Sequence, residues 1–240
     1  MWKENPLKRI DSTQKAAIRK IKDGKIKTPE SFFSFNQFNG YGTHGKKWEH
    51  CKDSLAISFA WPSLLTPKLN KVTLPMITST LVVKGLESYV KFPKYSLGLK
   101  WPNDLMKAQK KIGGVLVQTV NHNCKQWIIV GIGVNLLWET KPTNLYFGSL
   151  LEKKNKSISK AELVFTVSQS MEAVIKVKDM SKVLDEFNKR DIFSGKSVKI
   201  SNKKLEYIGK NYGVCKNGGI CIRDKNGNIQ IFQTGSLSSV

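Results

Sequence analysis

The sequence predicts an α/β domain, a mixed sheet with flanking helices, followed by a small C-terminal β-barrel. Three observations predict it. Helix-like and strand-like apolar periodicities are interleaved from Asp11 to Arg190. A capping-box pattern at Ser159 and Glu162 opens a helix late in that stretch. After Phe193 the texture changes to short alternating segments separated by tight-turn pairs. The boundary is placed between a larger domain over 1–192 and a smaller one over 193–240, and 40% apolar residues in 240 are enough for a full core.

In chain order, Asp11, Ser12 and Thr13 stand at N-cap positions before Ala16, Ala17, Ile18 and Ile21, a helical stripe that stops at Gly24. Phe33, Phe35 and Gln37 alternate with Ser34 and Asn36, so a strand there puts Gln37 on the phenylalanine face. Leu55, Ile57, Phe59 and Trp61 share one face of a strand over Ser54 to Trp61. A helix follows from about Pro75 to Val90, with proline in a first turn where its missing N–H costs nothing. Ser96 to Trp101, Lys111 to Val120 and Gln126 to Leu136 read as strands, the last two joined by a turn at Asn121 to Lys125. The capped helix runs to about Val177 and a shorter one covers Lys182 to Arg190. Ser197 to Ser201, Leu205 to Gly209, Gly219 to Arg223 and Ile229 to Phe232 then alternate around Asn217-Gly218 and Asn226-Gly227, which predicts a barrel of about 45 to 50 residues.

Forty Lys and Arg against eighteen Asp and Glu give a formal net charge of +22. The excess is mostly lysine, spread from Lys3 to Lys225, which suits a solvated surface better than a groove that reads phosphates or bases. No nucleic-acid partner is expected, although a basic surface speeds encounter with an acidic protein. Apolar runs such as Ile128 to Trp138 fall short of the roughly 20 residues of a membrane span, and the N-terminus lacks a signal-peptide core. A cytoplasmic protein without a membrane partner is expected. Cys51, Cys124, Cys215 and Cys221 form no C-x-x-C pair, and His44, His50 and Cys51 read as an exposed loop. Reduced thiols and no structural metal are therefore expected.

Several residues have the chemistry of a binding site. Gly40, Gly42 and Gly45, ending in Lys46, Lys47 and Trp48, form a glycine-rich basic loop able to approach phosphate oxygens. It matches neither the P-loop nor the dinucleotide fingerprint, and a mobile connection explains it as well. Pro102 ends a strand and leaves Asn103 and Asp104 at its end, suited to orient a lysine or a nucleotide-bound Mg²⁺; a plain turn is the alternative. Lys111, Gly113, Val115 and Val117 share one face of the next strand, and Ile112, Gly114, Leu116 and Gln118 the other. Gly113 and Gly114, with Gly131 and Gly133 before Asn135 on the neighbouring strand, thin the sheet either as a floor for a flat ligand or for tight helix packing.

Taken in order, the D-S-T segment at Asp11, the glycine loop ending in Trp48, K-W-P-N-D at Lys100, K-x-G-G at Lys111 and G-I-G-x-N at Gly131 resemble a biotin protein ligase. The likeness is densest from Asp11 to Leu136, and Ser149 to Leu151 and the C-terminal barrel extend it. It implies a class II synthetase-like ligase domain with an SH3-like barrel. It also implies formation of biotinyl-5′-AMP from biotin and ATP with Mg²⁺, then transfer to a lysine of a biotin carboxyl carrier protein, an acetyl-CoA carboxylase subunit, or a similar domain. A homodimer is compatible with it.

The resemblance makes Lys111 the catalytic cation, oriented by Asp104, which is also the one candidate for a Mg²⁺ ligand. Ser12, Thr13 and Gln37 fall on the ureido ring, with Gln14, Tyr41, Gly42 and Thr43 also toward biotin. Gly113, Gly114, Leu116, Gly131 and Gly133 make the biotin floor. Trp48 stacks on adenine, and Gly40, Lys46, Asn103 and Asn135 approach the nucleotide, with Lys100 in support.

In the family the loop reads G-R-G-R-x-G-R-x-W, whereas Tyr41 and Thr43 stand at the first two arginines here and Lys46 at the third. Lysine supplies charge without the guanidinium fork, so weaker retention of the adenylate and promiscuous labelling are expected, unless Lys46 or Lys47 takes over. Only ten residues precede Asp11, so a ligase without a helix-turn-helix repressor domain is expected. Two rivals remain: a lipoate or octanoate ligase of related fold, and a non-enzymatic basic nucleic-acid-binding protein.

Overall fold

The computed structural model describes residues 2–240 except 50, 67–68, 139–141, 143, 153–157 and 203–204. His50 lies outside the described residues; His44 is exposed as expected, but Cys51 is buried rather than on an exposed loop. Seven strands build the main sheet: β1 (Lys3–Pro6), β2 (Glu30–Ser34), β3 (Asp53–Pro62), β4 (Leu97–Lys100), β5 (Asp104–Lys107), β6 (Lys110–His122) and β7 (Lys125–Leu137), in the order β1-β2-β3-β7-β6-β5-β4. Only β1 and β2 run parallel. The described residues form four α-helices, α1 (Thr13–Lys22), α2 (Thr73–Val90), α3 (Lys160–Ile175) and α4 (Met180–Arg190). Strands β8 (Ser197–Asn202), β9 (Leu205–Val214), β10 (Ile220–Arg223), β11 (Ile229–Phe232) and β12 (Ser236–Ser239) form a second, antiparallel sheet in the order β11-β10-β9-β8-β12. The mixed α/β layer and the C-terminal all-β unit are those the sequence predicts.

Local chemistry sets the boundaries. Ser12 caps α1 by accepting from the Lys15 N–H, and Gly24 at φ +67° ends it. Ser159 caps α3 through the Glu162 N–H, and Asp179 caps α4 through the N–H groups of Ser181 and Lys182. Asn123 and Cys124, both at positive φ, make the tight turn between β6 and β7.

The sheet has two unlike faces. Leu55, Ile57, Phe59 and Trp61 of β3, with Val130, Val134 and Leu136 of β7, join α2, α3, α4 and the inner residues of the second sheet in one large core. On the other face α1 covers only part, packing Ala17 and Ile21 on Phe32, Ala60 and Ile129. The uncovered remainder is where the site lies. No described helix is long and apolar enough to cross a membrane.

Three expectations change. Strand β2 stops at Ser34, so Gln37 does not continue a phenylalanine face; it lies beyond the strand, bridged to Ile10. Strands β1, β5 and β12 were not predicted: KENP, DLMK and SLSS carry no apolar alternation, and pairing with β2, with β4 and β6, and with β8 is what makes them strands. Cys215 and Cys221 are not reduced thiols but a disulfide across the turn from β9 to β10, where Asn217-Gly218 folds the six-residue separation back on itself. Cys51 and Cys124 are not disulfide-bonded.

The approach to α1 carries a pH-dependent contact. Arg19 holds Asp11 with two hydrogen bonds of 3.0 and 2.9 Å, and that bonding takes the Asp11 carboxyl down to about 2. Because the folded value lies below the unfolded one of about 3.9, the contribution is full above pH 4 and is lost as pH falls through about 2. Arg19 is half exposed, so Arg19→Ala is expected to cost only about 0.5–1 kcal/mol at pH 6. Urea melts of both proteins at pH 6 and pH 3 check this; a gap that does not narrow at pH 3 removes it.

Candidate active site

The open face of the sheet is crossed by one row of paired residues. Register runs Ser34 to Ala56, Ala56 to Gly133, Gly133 to Gly114, Gly114 to Asp104 and Asp104 to Lys100. Small residues occupy the middle of this row, and ionised ones its β5–β4 end. Two residues along, Ser58 pairs with Gly131 and Gly131 with Leu116. Above this thin floor lies a cavity of about 190 Å³.

The glycines face close neighbours. A Cβ on Gly131 would fall 2.5 Å from Gln14 Oε1, and one on Gly133 would fall 2.8 Å from the Trp48 ring, so the indole rests directly on Gly133. A Cβ on Gly40 would strike Gln37 Nε2, which lets the loop fold down on that amide.

At the β3 side the wall is neutral and hydrogen-bonded. Gln37 Oε1 accepts from the Thr13 N–H at 2.9 Å, the Thr13 and Ser58 hydroxyls are 2.9 Å apart, and Ser58 Oγ donates to Gln14 Oε1 at 3.0 Å. At the β5 side it is cationic. Lys111 Nζ lies 2.5 Å from Asp104 Oδ1, and Lys100 Nζ lies 3.3 Å from Asp104 Oδ2. Burial lowers the proton affinity of Lys100, and Asp104 opposes that effect. Over the top folds a small hairpin: Trp48 N–H donates to the Gly40 carbonyl, Gly42 N–H to that of Lys46, and Tyr41 bridges Lys47. Tyr41 Oη also donates to Gln118 Oε1 at 2.8 Å, and burial raises its pKa. Lys46, Lys47 and Lys111 line the cavity, and among the described residues Glu49 is the carboxylate that lines it with them.

Lys111 reaches the cavity by a route that alternation did not predict. Leu105 pairs with Gly113 but Met106 pairs with Lys111, so Ile112 is an extra residue in β6. This β-bulge reverses the alternation and puts Lys111 on the face of Gly114, whose added Cβ would lie 3.6 Å from Lys111 Cε. Gly113 is turned away, toward the Gly133 carbonyl and Leu105, and does not line the cavity.

Of the other candidates, Ser12, Thr13, Gln14, Gln37, Tyr41, Gly42, Thr43, Lys46, Trp48, Asn103, Leu116, Gly131 and Gly133 line the cavity. Gly40, Lys100, Asp104 and Asn135 do not. Gly40 is packed beneath the loop, Lys100 and Asp104 stand behind Lys111, and Asn135 is buried, with its Oδ1 accepting from the Cys51 N–H. Asp104 fits a divalent cation poorly: two ammonium groups and the Tyr146 hydroxyl occupy its oxygens. No group of three His, Cys, Asp or Glu among the described residues stands ready to hold a metal either.

Sequence reasoning missed Ser58, Tyr146 and Phe147. Ser58 was legible as a small polar residue opposite the Ile57–Phe59 face of β3. Tyr146 and Phe147 belong to no pattern; the Lys111 N–H donates to the Tyr146 carbonyl and the Gly148 N–H to that of Lys111, which brings Phe147 into the lining.

The family model described as the biotin/lipoate A/B protein ligase family matches residues 7–135. The chain is 22% identical over 236 residues to the bifunctional ligase/repressor BirA of Escherichia coli (strain K12), covering 95% of this chain and 71% of that protein. It is 27% identical over 218 residues to the biotin–protein ligase of Homo sapiens, covering 83% of this chain and 28% of that one. Among solved structures, the biotin protein ligase from Aquifex aeolicus in complex with biotin and ATP superimposes with a TM-score of 0.83 at 25% identity, over 99% of this chain and 98% of that one.

Proposed function

This chain belongs to the biotin/lipoate A/B protein ligase family, and we propose that it is a biotin–protein ligase, forming biotinyl-5′-AMP and passing the biotinyl group to a lysine of a biotin carboxyl carrier domain. The observation that carries this reading is the polarity of one cavity. A neutral hydrogen-bonding wall of Thr13, Gln14, Gln37 and Ser58 faces a cationic end at Lys111 across a glycine floor. A ligand with a neutral urea head and a carboxylate tail matches that order.

In the first step a carboxylate oxygen attacks the α-phosphorus of ATP, the bond to pyrophosphate breaks, and a mixed anhydride forms. Two anions must meet, and Lys111, aligned by Asp104, lowers their repulsion where charge builds up. In the second step the acceptor amine attacks the activated carbonyl, AMP leaves, and an amide remains. Mg²⁺ bound with ATP would supply neutralising charge to the phosphates; Asp104, its oxygens taken by Lys100, Lys111 and Tyr146, aligns lysines rather than binding the metal.

Biotin, MgATP and the protein are expected to yield biotinyl-adenylate by mass spectrometry, with Lys111→Ala as the control. Pyrophosphate release with lipoate and none with biotin would overturn the biotin reading. Loop chemistry gives a second expectation. Thr43 is exposed at the cavity rim, so Thr43→Arg supplies a fork where none exists and should slow adenylate escape on the order of tenfold after rapid dilution. Unchanged retention removes the idea and leaves the role with Lys46 or Lys47.

A further inference from the structure

Two lysines share the carboxylate of Asp104, yet only one of them enters the cavity. Lys100 and Lys111 are similarly enclosed, with side chains 13% and 19% exposed, and Lys100 stands on the site face of the sheet through its pairing with Asp104. What separates them is a tyrosine. Lys100 Nζ donates to Tyr146 Oη at 2.5 Å, and Tyr146 Oη donates onward to Asp104 Oδ2 at 3.3 Å. Lys100 Nζ also lies 4.8 Å from the centre of the Tyr146 ring.

Resting on the reading of this cavity as the adenylating site, we propose that Tyr146 is a positioning residue. Its hydroxyl binds Lys100 to the Oδ2 edge of Asp104, reserves the Oδ1 edge for Lys111, and so makes Lys111 the ammonium presented to the reacting anions. Without the hydroxyl, Lys100 keeps Asp104 as its one anionic partner, and two ammonium groups compete for one carboxylate. The placement of Tyr146 is tied to that of Lys111 by backbone. Lys111 N–H to the Tyr146 carbonyl and Gly148 N–H to the Lys111 carbonyl are both 2.8 Å, and Lys111 bridges Phe147 in parallel register. Burial first, and the Asp104 charge second, keep the phenol protonated and so able to donate.

Tyr146→Phe removes one oxygen and keeps the ring and both backbone bonds, so it tests the hydroxyl alone. The rate of biotinyl-adenylate formation is to be measured for wild type, Tyr146→Phe, Lys100→Gln and the double variant. Tyr146→Phe should lower kcat about tenfold, the effect of losing one hydrogen bond to a charged group. KM for biotin should stay within about twofold, as for an interaction felt in the transition state. The thermal midpoint should stay within about 2 °C. In the Lys100→Gln background the same change should have no further effect, because Tyr146 acts through Lys100. Equal kcat in wild type and Tyr146→Phe overturns the proposal, as does a loss that persists undiminished in the Lys100→Gln background. A wild-type protein that makes no biotinyl-adenylate overturns the adenylation reading itself, before any variant is compared.

Discussion

Lys111→Ala is expected to slow biotinyl-adenylate formation by roughly 10²–10³, the range seen when one preorganised donor is removed from a developing anion. The expectation is specific because the bulge at Ile112 delivers a single ammonium from β6 to the cavity, with Asp104 fixing its direction at 2.5 Å. Lys46 and Lys47 also line the cavity, but they are exposed on the overlying hairpin, whereas Lys111 is held against Asp104. Asp104→Asn keeps the size of the group and removes its charge, so a smaller loss of about tenfold is expected. Lys111→Arg should fall between, since a guanidinium keeps the charge but not the geometry that suits a single point contact. Single-turnover kinetics with saturating biotin and MgATP decide the matter. A Lys111→Ala rate within threefold of wild type, as an order-of-magnitude threshold, would move the role to Lys46, Lys47 or Lys100.

Lys111 stood out in the sequence as a candidate, but the direction of its side chain was not legible. A lysine followed by two glycines inside a strand signals close approach of something to the sheet. Strict alternation then puts Lys111 on the Val115 side, into what is the apolar core. The extra residue Ile112 corrects this, and a one-residue insertion has no period-two signature to read. Trp101 shows the converse. It belongs to the most telling segment of the sequence, yet its indole is fully buried and its N–H donates to the Gly218 carbonyl at 3.1 Å. Its place in the motif is explained by docking of the second sheet, while Asp104, three residues on, serves the cavity. Tyr146 and Ser58 escaped because each acts through partners distant in the chain, which one sequence cannot pair. The helices and the longer strands were legible because caps and periodicity are local; β1 and β5 were not, because their pairing with β2 and β6 is what makes them strands.

Arg190→Ala and Glu87→Ala are each expected to destabilise the protein by about 3–5 kcal/mol, a large part of the roughly 5–15 kcal/mol that holds a domain folded. The two side chains meet in the core, 1% and 6% exposed, where both Nη atoms of Arg190 donate to the Glu87 carboxylate at 2.9 Å. Burial opposes the guanidinium charge, and Glu87 and Glu186 more than offset it. Glu87 Oε1 also accepts from the Leu97 N–H, and Arg190 Nη1 donates to the Leu97 carbonyl, so the pair fixes α2, α4 and the start of β4 together. Removing Arg190 strips the buried Glu87 carboxylate of its guanidinium, removing Glu87 leaves the buried Arg190 with Glu186 alone, and either change takes a hydrogen bond from Leu97. Removing both is different: an apolar pair of similar volume, Glu87→Leu with Arg190→Met, should recover much of the loss, since burying two charges has its own desolvation cost. Urea unfolding of the two single variants and the double variant measures this; single variants within about 1 kcal/mol of wild type would show that water reaches the pair. Because β4 ends in Lys100, any loosening at Leu97 that survives in the folded variants should reach the cation cluster three residues away. Adenylate formation in folded Glu87→Gln, which keeps most of the hydrogen bonds and loses the charge, is therefore expected to fall less than in Lys111→Ala and to leave KM for biotin unchanged.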